Sequence, residues 1–199
     1  MTVNAYVRSI PFLPKIAAYA RSKKIVACLV GGVLRDFYFG RRDMVRDVDI
    51  AVQKNAIGMA RHCARISGGT LVVLDEDTRS YRVVIQHKSM TLHYDFTDWR
   101  APVLEEDLRQ RDFTVNALAF PLARYPDGEC LDVCGGLKDI RARILRSPSS
   151  GVFRDDPLRI LRAFSVGAMC ACRIDPCTWK SMLAAKHLLK KVSAERVAE

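Results

Sequence analysis

The chain has 199 residues, 49% hydrophobic and 27% charged, which is typical of a globular protein with one sizeable core and room for a small second unit. Its formal net charge is +10, and the part from Lys138 onward, with 13 basic and 6 acidic residues, favours a polyanionic partner such as RNA. No apolar run reaches membrane-spanning length, and proline and charge interrupt the N-terminus too often for a signal peptide, so we expect a cytoplasmic protein.

Hydrophobic periodicity and glycine breaks predict helices and strands in the first three quarters of the chain. The predicted helices are 12–22, 33–40, 55–66 and 104–111, and the predicted strands are 25–30, 47–52, 70–75, 80–86 and 91–97. The last three strands have connections too short for crossovers, so they form an antiparallel or mixed sheet. The expected fold is α/β or α+β, with a small, mostly antiparallel five-stranded sheet.

After the turn-forming segment Ser147-Pro148-Ser149-Ser150-Gly151, the pattern becomes helical. We expect helices at 156–170 and 176–190, and a third that starts at Ser193 and has nothing after it, which indicates a fragment of a longer protein. The sequence therefore predicts a sheet-containing domain at 1–150 and a small all-α unit at 151–199.

Seven cysteines are scattered along the chain, and their odd number argues against a disulfide framework. Cys170, Cys172 and Cys177 are close enough to suggest a soft metal site. We find no fourth ligand nearby and no standard zinc spacing, so buried structural thiols are the preferred interpretation.

The strongest local signal for chemistry is Asp47-Val48-Asp49 on a predicted strand. Side chains two apart on a strand point to the same side, and neighbouring carboxylates repel each other unless a cation neutralises them. Such oxygen ligands suit Mg²⁺, and two ions can hold the attacking and the leaving oxygen of a phosphoryl transfer. Alone the pattern is weak, because surface strands often carry it.

A glycine turn precedes these carboxylates. Gly31-Gly32 follow a predicted strand and open a predicted helix, and Arg35 lies in its first turn. Glycines let a backbone approach a triphosphate, and an arginine can pair with a phosphate. The alternative is an ordinary strand–turn–helix corner in which Arg35 pairs with Asp36 or Asp47.

Residues 29–52 (LVGGVLRDFYFGRRDMVRDVDIAV) resemble the opening motif of the class II, bacterial-type tRNA CCA-adding enzymes and of the related bacterial poly(A) polymerases. Both belong to the polymerase-β-like nucleotidyltransferase superfamily. Residues 104–119 resemble the family's RRDFT-x-NA block, 131–140 its D-x-x-GG-x-x-D block, and 154–164 its ED-x-x-R block and neck helix. Four ordered motifs make a chance match very improbable.

The resemblance implies roles for the first motif. Asp47 and Asp49 are expected to hold the catalytic Mg²⁺ ions, and Gly31, Gly32 and Arg35 to contact the phosphates of the nucleotide. It also implies that the head, which catalyses the transfer, is followed by a neck that recognises the base.

In the second block, Arg111 is expected to contact the nucleotide, and Asp112 and Asn116 to shape its sugar pocket.

The last block implies that Asp156 and Arg159 recognise the base, with Arg162 beside them. The spacing agrees, because residues three apart on a helix share a face about 120° wide. A carboxylate beside a guanidinium can match the edge of a base. The alternative is an intrahelical Asp–Arg pair worth a few tenths of a kcal/mol, which we would prefer without the resemblance.

A third carboxylate is usual in this superfamily, and Asp95 on a predicted strand is the candidate, with Asp98 as its rival. It is expected to deprotonate the RNA 3′-hydroxyl or to complete the metal site. Tyr94 and Trp99 nearby are aromatic and suited to stacking on a base, although core packing is the preferred use.

The sequence departs from the family pattern in several places. Gln110 replaces the first arginine of RRDFT, and Ser165 replaces an arginine of the neck helix. Only Thr97–Val103 separates the predicted strand from the next block, where CCA-adding relatives carry a longer flexible loop, which points to addition of two C residues only. Residues 68–73 lack the basic G-R-R-F-type signature, which argues against a poly(A) polymerase.

These observations predict a nucleotidyltransferase that adds C and/or A residues from CTP and ATP to the 3′ acceptor end of tRNA. The first rival is a bacterial poly(A) polymerase. A rival of another class is a non-catalytic RNA-binding module, and a third is a nucleotidyltransferase acting on a protein or small molecule. The resemblance does not predict an oligomeric state.

Overall fold

The computed structural model describes residues 1–41, 45–193 and 196. The chain forms two compact units: the first comprises residues 1–107 and 118–131, and the second 108–117 and 132–199. The boundary predicted near residue 150 thus lies inside the second unit. The division of functions at that boundary stays a prediction.

Nine strands and nine helices cover most of the described residues. The strands are β1 (Ala27–Val30), β2 (Asp47–Val52), β3 (Thr70–Asp75), β4 (Ser80–His87), β5 (Met90–Asp98), β6 (Leu118–Pro121), β7 (Leu131–Asp132), β8 (Ile144–Leu145) and β9 (Arg173–Ile174). The helices are α1 (Val3–Ser9), α2 (Leu13–Ser22), α3 (Gly32–Tyr38), α4 (Ala56–Ser67), α5 (Leu104–Arg109), α6 (Gly136–Ala142), α7 (Val152–Asp155), α8 (Leu158–Cys170) and α9 (Pro176–Ala185). Short 3-10 turns occupy Thr114–Asn116, Leu122–Arg124 and Lys186–Lys191.

A seven-stranded sheet has the order β3-β4-β5-β2-β1-β6-β7. β2 and β5 are parallel neighbours, whereas β1 is antiparallel to β2 and β6, and β4 is antiparallel to β3 and β5. The mixed α/β class and the mostly antiparallel sheet are confirmed. The strand count of five was wrong, because β6 is a four-residue apolar run without alternation and β7 has two residues, so neither gives a periodic signal.

The two faces of this sheet differ in burial. Alternate residues of β2, β4 and β5 are buried, and α4 packs against β4 and β5 while α2 packs against α4. This buried face consists of Val48, Ile50, Val83, Ile85, Leu92, Tyr94 and Phe96. The opposite face, called the open face below, carries the intervening residues, among them Asp47, Asp49, Arg82, His93 and Asp95. Strand alternation therefore puts the polar side chains together on one surface.

Local signals account well for α4. Asn55 precedes it and accepts a hydrogen bond from the Gly58 amide, and Asp98 accepts one from the Ala56 amide at 2.7 Å. Gly68, with φ +68°, ends the helix in the left-handed conformation that glycine adopts readily. The prediction of 55–66 is off by one residue at each end.

In the second unit, α8 begins at Leu158, two residues later than predicted. Pro157 disfavours the helical conformation for the residue before it, and Asp156 has extended angles of φ −146° and ψ 101°. Asp156 therefore precedes the helix, and the expectation that it shares a helix face with Arg159 and Arg162 was wrong.

The C-terminal part is not purely helical, because β9 pairs in parallel with β8. α9 starts at Pro176 with Asp175 accepting from the Cys177 and Thr178 amides, and it ends at Ala185 rather than at 190, followed by the 3-10 turn Lys186–Lys191. The predicted third helix from Ser193 lies outside the described residues apart from Ser193 and Arg196.

All seven cysteines lie within the described residues and are thiols, none of them in a disulfide. Cys170 is buried, Cys172 is half-buried and Cys177 is exposed, so the preferred interpretation as buried thiols holds only for the first of the three.

Within the described segments, none of the helices combines the length and the apolar character that a membrane crossing requires.

Candidate active site

Asp47 and Asp49 lie on β2 and project from the open face. In the parallel pairing with β5, Asp47 lies opposite His93 and Asp49 opposite Asp95. The Asp47 side chain is 73% exposed, and its Oδ1 lies 3.1 Å from Nδ1 of His93. The two carboxylates that the sequence predicted therefore lie on the same face of β2, and Asp47 is accessible to solvent.

Gly31 brings the backbone against Asp49. Its φ is +77°, and a Cβ at this position would lie only 2.7 Å from Oδ2 of Asp49. Gly32 opens α3, and a Cβ there would lie 3.3 Å from Nη2 of Arg35. The double glycine therefore has a steric reason at Gly31, since a side chain would collide with the second carboxylate.

A cleft of about 290 Å³ lies beside the carboxylates. It is lined by Tyr6, Gly32, Val33, Arg35, Asp36, Arg41, Val45, Arg46, Asp47 and Asp49. One concave surface thus contains both carboxylates, which can hold cations, and guanidinium groups, which can bind phosphate oxygens. The sequence reasoning missed Tyr6, Arg41 and Arg46. The basic residues near the glycine turn were a usable signal, whereas nothing local marked Tyr6.

Arg35 is nearly buried and holds Asp36. Its Nε and Nη2 donate to the two oxygens of Asp36, each at 3.0 Å, and Arg41 lies 3.9 Å from the same carboxylate. The pairing of Arg35 with Asp36 that the sequence allowed is therefore observed. Arg35 and Asp36 both line the cleft. The contact of Arg35 with the phosphates of the nucleotide stays a prediction.

Asp95 and its rival Asp98 lie at different places. Asp95 is in register with Asp49 on the open face, and both of its oxygens accept hydrogen bonds from Arg82, at 2.8 and 2.7 Å. Asp98 is the last residue of β5 and caps α4 by accepting a hydrogen bond from the Ala56 amide. Position favours Asp95 as the third carboxylate, and its catalytic role stays a prediction.

The two aromatic candidates for base stacking differ in accessibility. Tyr94 is fully buried and its hydroxyl donates to the carbonyl of Pro11, which supports the preferred core-packing interpretation. Trp99 is half-buried, with its indole nitrogen enclosed.

The second unit contains a polar group centred on Asp112. Oδ2 of Asp112 accepts from Nε and Nη2 of Arg162 at 3.0 and 2.8 Å, and Oδ1 accepts from the Asn116 amide group at 3.0 Å and from the Phe113 backbone at 2.9 Å. Burial alone would raise the pKa of Asp112, but the positive charge of Arg162 and these hydrogen bonds outweigh it and lower the pKa. Asp112 is therefore a buried, ionised and fully engaged carboxylate.

The three residues expected to recognise the base are separated in their contacts. Asp156 accepts from the Leu158 amide at 3.2 Å and from Arg196 at 3.1 Å, and Arg159 is buried with Nη1 donating to the Val152 carbonyl at 3.3 Å. Arg162 reaches Asp112 instead. Their role in base recognition stays a prediction.

Arg111, expected to contact the nucleotide, is half-buried, with its Nε enclosed.

Comparison with known proteins agrees with this geometry. The model of the poly(A) polymerase head domain matches residues 27–146. A CC-adding tRNA nucleotidyltransferase of Synechocystis sp. is 36% identical over 171 residues, which covers 86% of this chain and 39% of the relative. A CCA-adding enzyme of Streptococcus uberis is 32% identical over 207 residues, which covers 97% of this chain and 48% of the relative.

Solved structures with the same fold include a CCA-adding enzyme in complex with CTP, with a TM-score of 0.82 and 26% identity, covering 99% of this chain and 49% of that one. A tRNA nucleotidyltransferase complexed with a primer tRNA and an incoming ATP analogue gives a TM-score of 0.74 at 30% identity, covering 92% of this chain and 53% of that one. The chain spans about two fifths to one half of the length of these curated relatives.

The matched region contains the glycine turn, both carboxylates of β2 and Asp95 opposite them, and it includes well over half of the 199 residues. On this evidence the chain belongs to the poly(A) polymerase head domain family.

Proposed function

We propose that the complete protein carrying this chain is a template-independent tRNA nucleotidyltransferase, which adds C and/or A residues from CTP and ATP to the 3′ acceptor end of tRNA. The observation that carries the proposal is the pair Asp47 and Asp49 on the open face and beside an arginine-lined cleft, with Asp49 in contact range of Gly31. The names of the relatives, CC-adding and CCA-adding enzymes, support the same activity. A cytoplasmic location belongs to this proposal.

Nucleotidyltransferases of this kind typically use divalent metal, and the residues present fit such an ion. Asp47 and Asp49 project to the same side of one strand, and Asp47 is largely exposed. Carboxylate oxygens are hard ligands, so we infer Mg²⁺ as the metal. When bound, it would lower the pKa of the attacking hydroxyl and stabilise the charge of the leaving pyrophosphate.

The other residues of the first unit would orient the reactants. The cleft with Gly32, Arg35 and Arg41 would hold the triphosphate. The RNA 3′-oxygen attacks the α-phosphorus, the bond from that phosphorus to the bridging oxygen of the β-phosphate breaks, and pyrophosphate leaves. Asp95, opposite Asp49, is the candidate acceptor for the hydroxyl proton.

The second unit would supply the remaining nucleotide contacts. Arg162, Asp112 and Asn116 form one hydrogen-bonded group, which would shape the sugar pocket and leave part of the Arg162 guanidinium exposed. Arg111 belongs to the same proposal.

Asp156 and Arg159 remain the proposed base-recognition residues, and the proposed functional division is a catalytic head at 1–150 followed by a neck at 151–199.

Two observations favour addition of two C residues without the final A. Only residues 99–103 connect β5 to α5, at the place where the resemblance implies a longer loop in CCA-adding enzymes. The alignment with the Streptococcus uberis enzyme is 207 residues long. It covers 97% of the 199 residues of this chain, or about 193, so about 14 aligned positions of that enzyme have no counterpart here. The alignment with the Synechocystis CC-adding enzyme covers 86% of the chain with 171 residues and contains essentially no such positions.

The alternative with the same chemistry is a poly(A) polymerase, the activity named in the family description. Product length separates the candidates. The complete protein is incubated with tRNA that ends at the discriminator base and with each nucleotide in turn. We expect elongation by two residues with CTP and none with ATP alone. A third residue on addition of ATP would identify a CCA-adding enzyme, and a long ladder with ATP alone would identify a poly(A) polymerase.

Substitution of the carboxylates tests the catalytic assignment and excludes a non-catalytic RNA-binding module. Asp47→Ala and Asp49→Ala should each abolish incorporation and retain the melting temperature of the wild type. Asp77→Ala is a matched control, because Asp77 is an exposed aspartate of the turn between β3 and β4. Full activity in either of the first two variants would refute the proposal.

A further inference from the structure

Arg82 lies in a row of side chains that leads away from the metal-binding carboxylates. Asp49 is in register with Asp95 across β2 and β5, and Asp95 is in register with Arg82 across β5 and β4. In the sheet order, β1 with its glycine turn lies on one side of β2, and β5 and β4 lie on the other. The cleft with Gly32 is on the β1 side, so Arg82 belongs to the opposite side of the carboxylates.

The position of the Arg82 guanidinium is fixed by Asp95. Nε and Nη2 of Arg82 donate to Oδ1 and Oδ2 of Asp95 at 2.8 and 2.7 Å, a bidentate pair that is only partly exposed. The hydrogen bond with Asp95 is the main reason why the pKa of Arg82 is raised; partial burial opposes this shift, and the negative charges of Asp95, Asp47 and Asp49 add to it. Arg82 is therefore a permanent cation within the field of all three carboxylates.

Most of the donors on this guanidinium remain available. An arginine has five N–H donors, and the bidentate pair uses two of them. Within residues 1–41, 45–193 and 196, Asp95 is the hydrogen-bond partner of the Arg82 side chain, which is 36% exposed. The remaining donors can serve an acceptor that arrives from outside.

The proposed reaction requires such an acceptor on this side. In phosphoryl transfer the attacking oxygen approaches opposite the leaving group. Because the cleft on the β1 side would hold the leaving pyrophosphate, the RNA 3′ end has to approach across β5 and β4. Its phosphodiesters would pass beside Asp95, the carboxylate of this row that the proposed Mg²⁺ ions on Asp47 and Asp49 leave charged, and Asp95 would repel them unless a cation lies next to it.

We propose that Arg82 binds a phosphodiester oxygen next to the 3′ end of the RNA strand, and that Asp95 positions its guanidinium for this contact. The inference rests on the proposed function and names the second substrate's contact at the same site. Each carboxylate oxygen has two lone pairs, so Asp95 can still accept from the RNA 3′-hydroxyl while it holds Arg82. The competing explanation is a cross-strand ion pair that only stabilises the sheet.

Kinetics of the complete protein separate these explanations. Arg82→Met should raise the KM for tRNA by about tenfold, the usual size of one lost charged hydrogen bond, and should leave the KM for CTP within about twofold. Arg82→Lys should recover part of the loss. Arg61→Met is the charge-matched control, because Arg61 is exposed on α4, which packs on the buried face. It should leave both constants unchanged.

The salt dependence gives a second measure of a phosphate contact. The slope of log kcat/KM for tRNA against log salt concentration should be shallower by about 0.7 in Arg82→Met than in the wild type. An unchanged slope and an unchanged KM for tRNA in an active Arg82→Met protein would overturn the inference. An equal rise in the KM for CTP would overturn it as well.

A modified RNA tests the contact from the side of the substrate, and its effect on the wild type cannot come from a folding defect. Methylphosphonate replaces the last or the penultimate phosphodiester and removes one negative charge. At one of these positions the wild type should lose about tenfold in kcat/KM, and Arg82→Met should lose less than twofold. Equal losses in both proteins, or no loss in the wild type, would contradict the contact. A wild type that extends no RNA at all would refute the proposed function itself.

Discussion

Replacement of Gly31 by alanine tests whether the glycine turn exists to bring the backbone against Asp49. The new Cβ would lie 2.7 Å from Oδ2 of Asp49, and ordinary contact begins at 3.4 Å. The carboxylate would have to move outward, away from the position it shares with Asp47. A displacement of this order in a proposed metal-binding group is expected to lower kcat by about 10²-fold.

The backbone adds a separate cost to Gly31→Ala. Gly31 has φ +77° and ψ −142°, a conformation that alanine rarely adopts, and such strain costs about 1–3 kcal/mol. For a chain of this size, each kcal/mol corresponds to a shift of about 2–4 °C in melting temperature. A loss of stability alone would therefore not distinguish the contact with Asp49 from the strain.

Gly40→Ala supplies the matched control. Gly40 also has a positive φ, +78°, but a Cβ there would have nothing within 4 Å. Both variants should be destabilised, whereas only Gly31→Ala should lose nucleotide incorporation at a temperature where both are folded. The assay is single-turnover incorporation of CTP into tRNA at saturating Mg²⁺, with melting curves measured in parallel. Equal activities in the two variants would refute the steric argument.

Three further predictions concern stability and reactivity. Asp112→Asn should destabilise the protein most at neutral pH. The pKa of Asp112 is lower in the folded state than the value of about 3.9 in the unfolded chain, so its ionised form stabilises the fold at higher pH, and this stabilisation is lost as the pH falls below about 3.9. In denaturant titrations, the difference in the free energy of unfolding between the variant and the wild type should therefore narrow toward pH 3. A constant difference would contradict this. Asp98→Ala should lower the free energy of unfolding by about 1 kcal/mol through the lost cap of α4, with incorporation unchanged, and abolished incorporation would make Asp98 the third carboxylate. Burial raises the pKa of Cys63 to about 12, so Ellman's reagent at pH 8 should label the exposed Cys177 in the native protein and Cys63 only after unfolding.

The helices and strands that could be predicted from the sequence are those that a local periodic pattern defines. β2 and α4 were found within one residue of their ends, because an alternating strand and a helix with its own capping residues are defined by adjacent positions. The proposed metal-binding pair was predictable for the same reason, because side chains two positions apart on a strand point to the same side of the sheet. The spacing predicted Asp156 on a helix, but the proline after it disfavours helical backbone angles at this position.

The partners of the site residues lie beyond local reasoning. Arg162 contacts Asp112 across 50 positions in the sequence, and Arg82 contacts Asp95 only because β4 and β5 pair in one particular register. A periodic pattern identifies which face a residue occupies, but it does not identify the residue opposite it on the next strand. The sequence therefore predicted Asp95 as an acidic candidate without its cation.

The same register makes the open face depend on the short turn between β4 and β5. His87 pairs with Met90 at the end of this hairpin, and Lys88 adopts a positive φ of 56° to close it. Because side chains alternate with a period of two, a slip of one residue would turn Arg82 toward the buried face and bring Val83 beside Asp95. The apolar residues of the buried face oppose such a slip, since it would expose Val83 and Ile85, both now fully buried. Core packing on one face of the sheet thus fixes which charges meet on the other, and the hydrophobic pattern that specifies the fold also places a cation beside the third carboxylate.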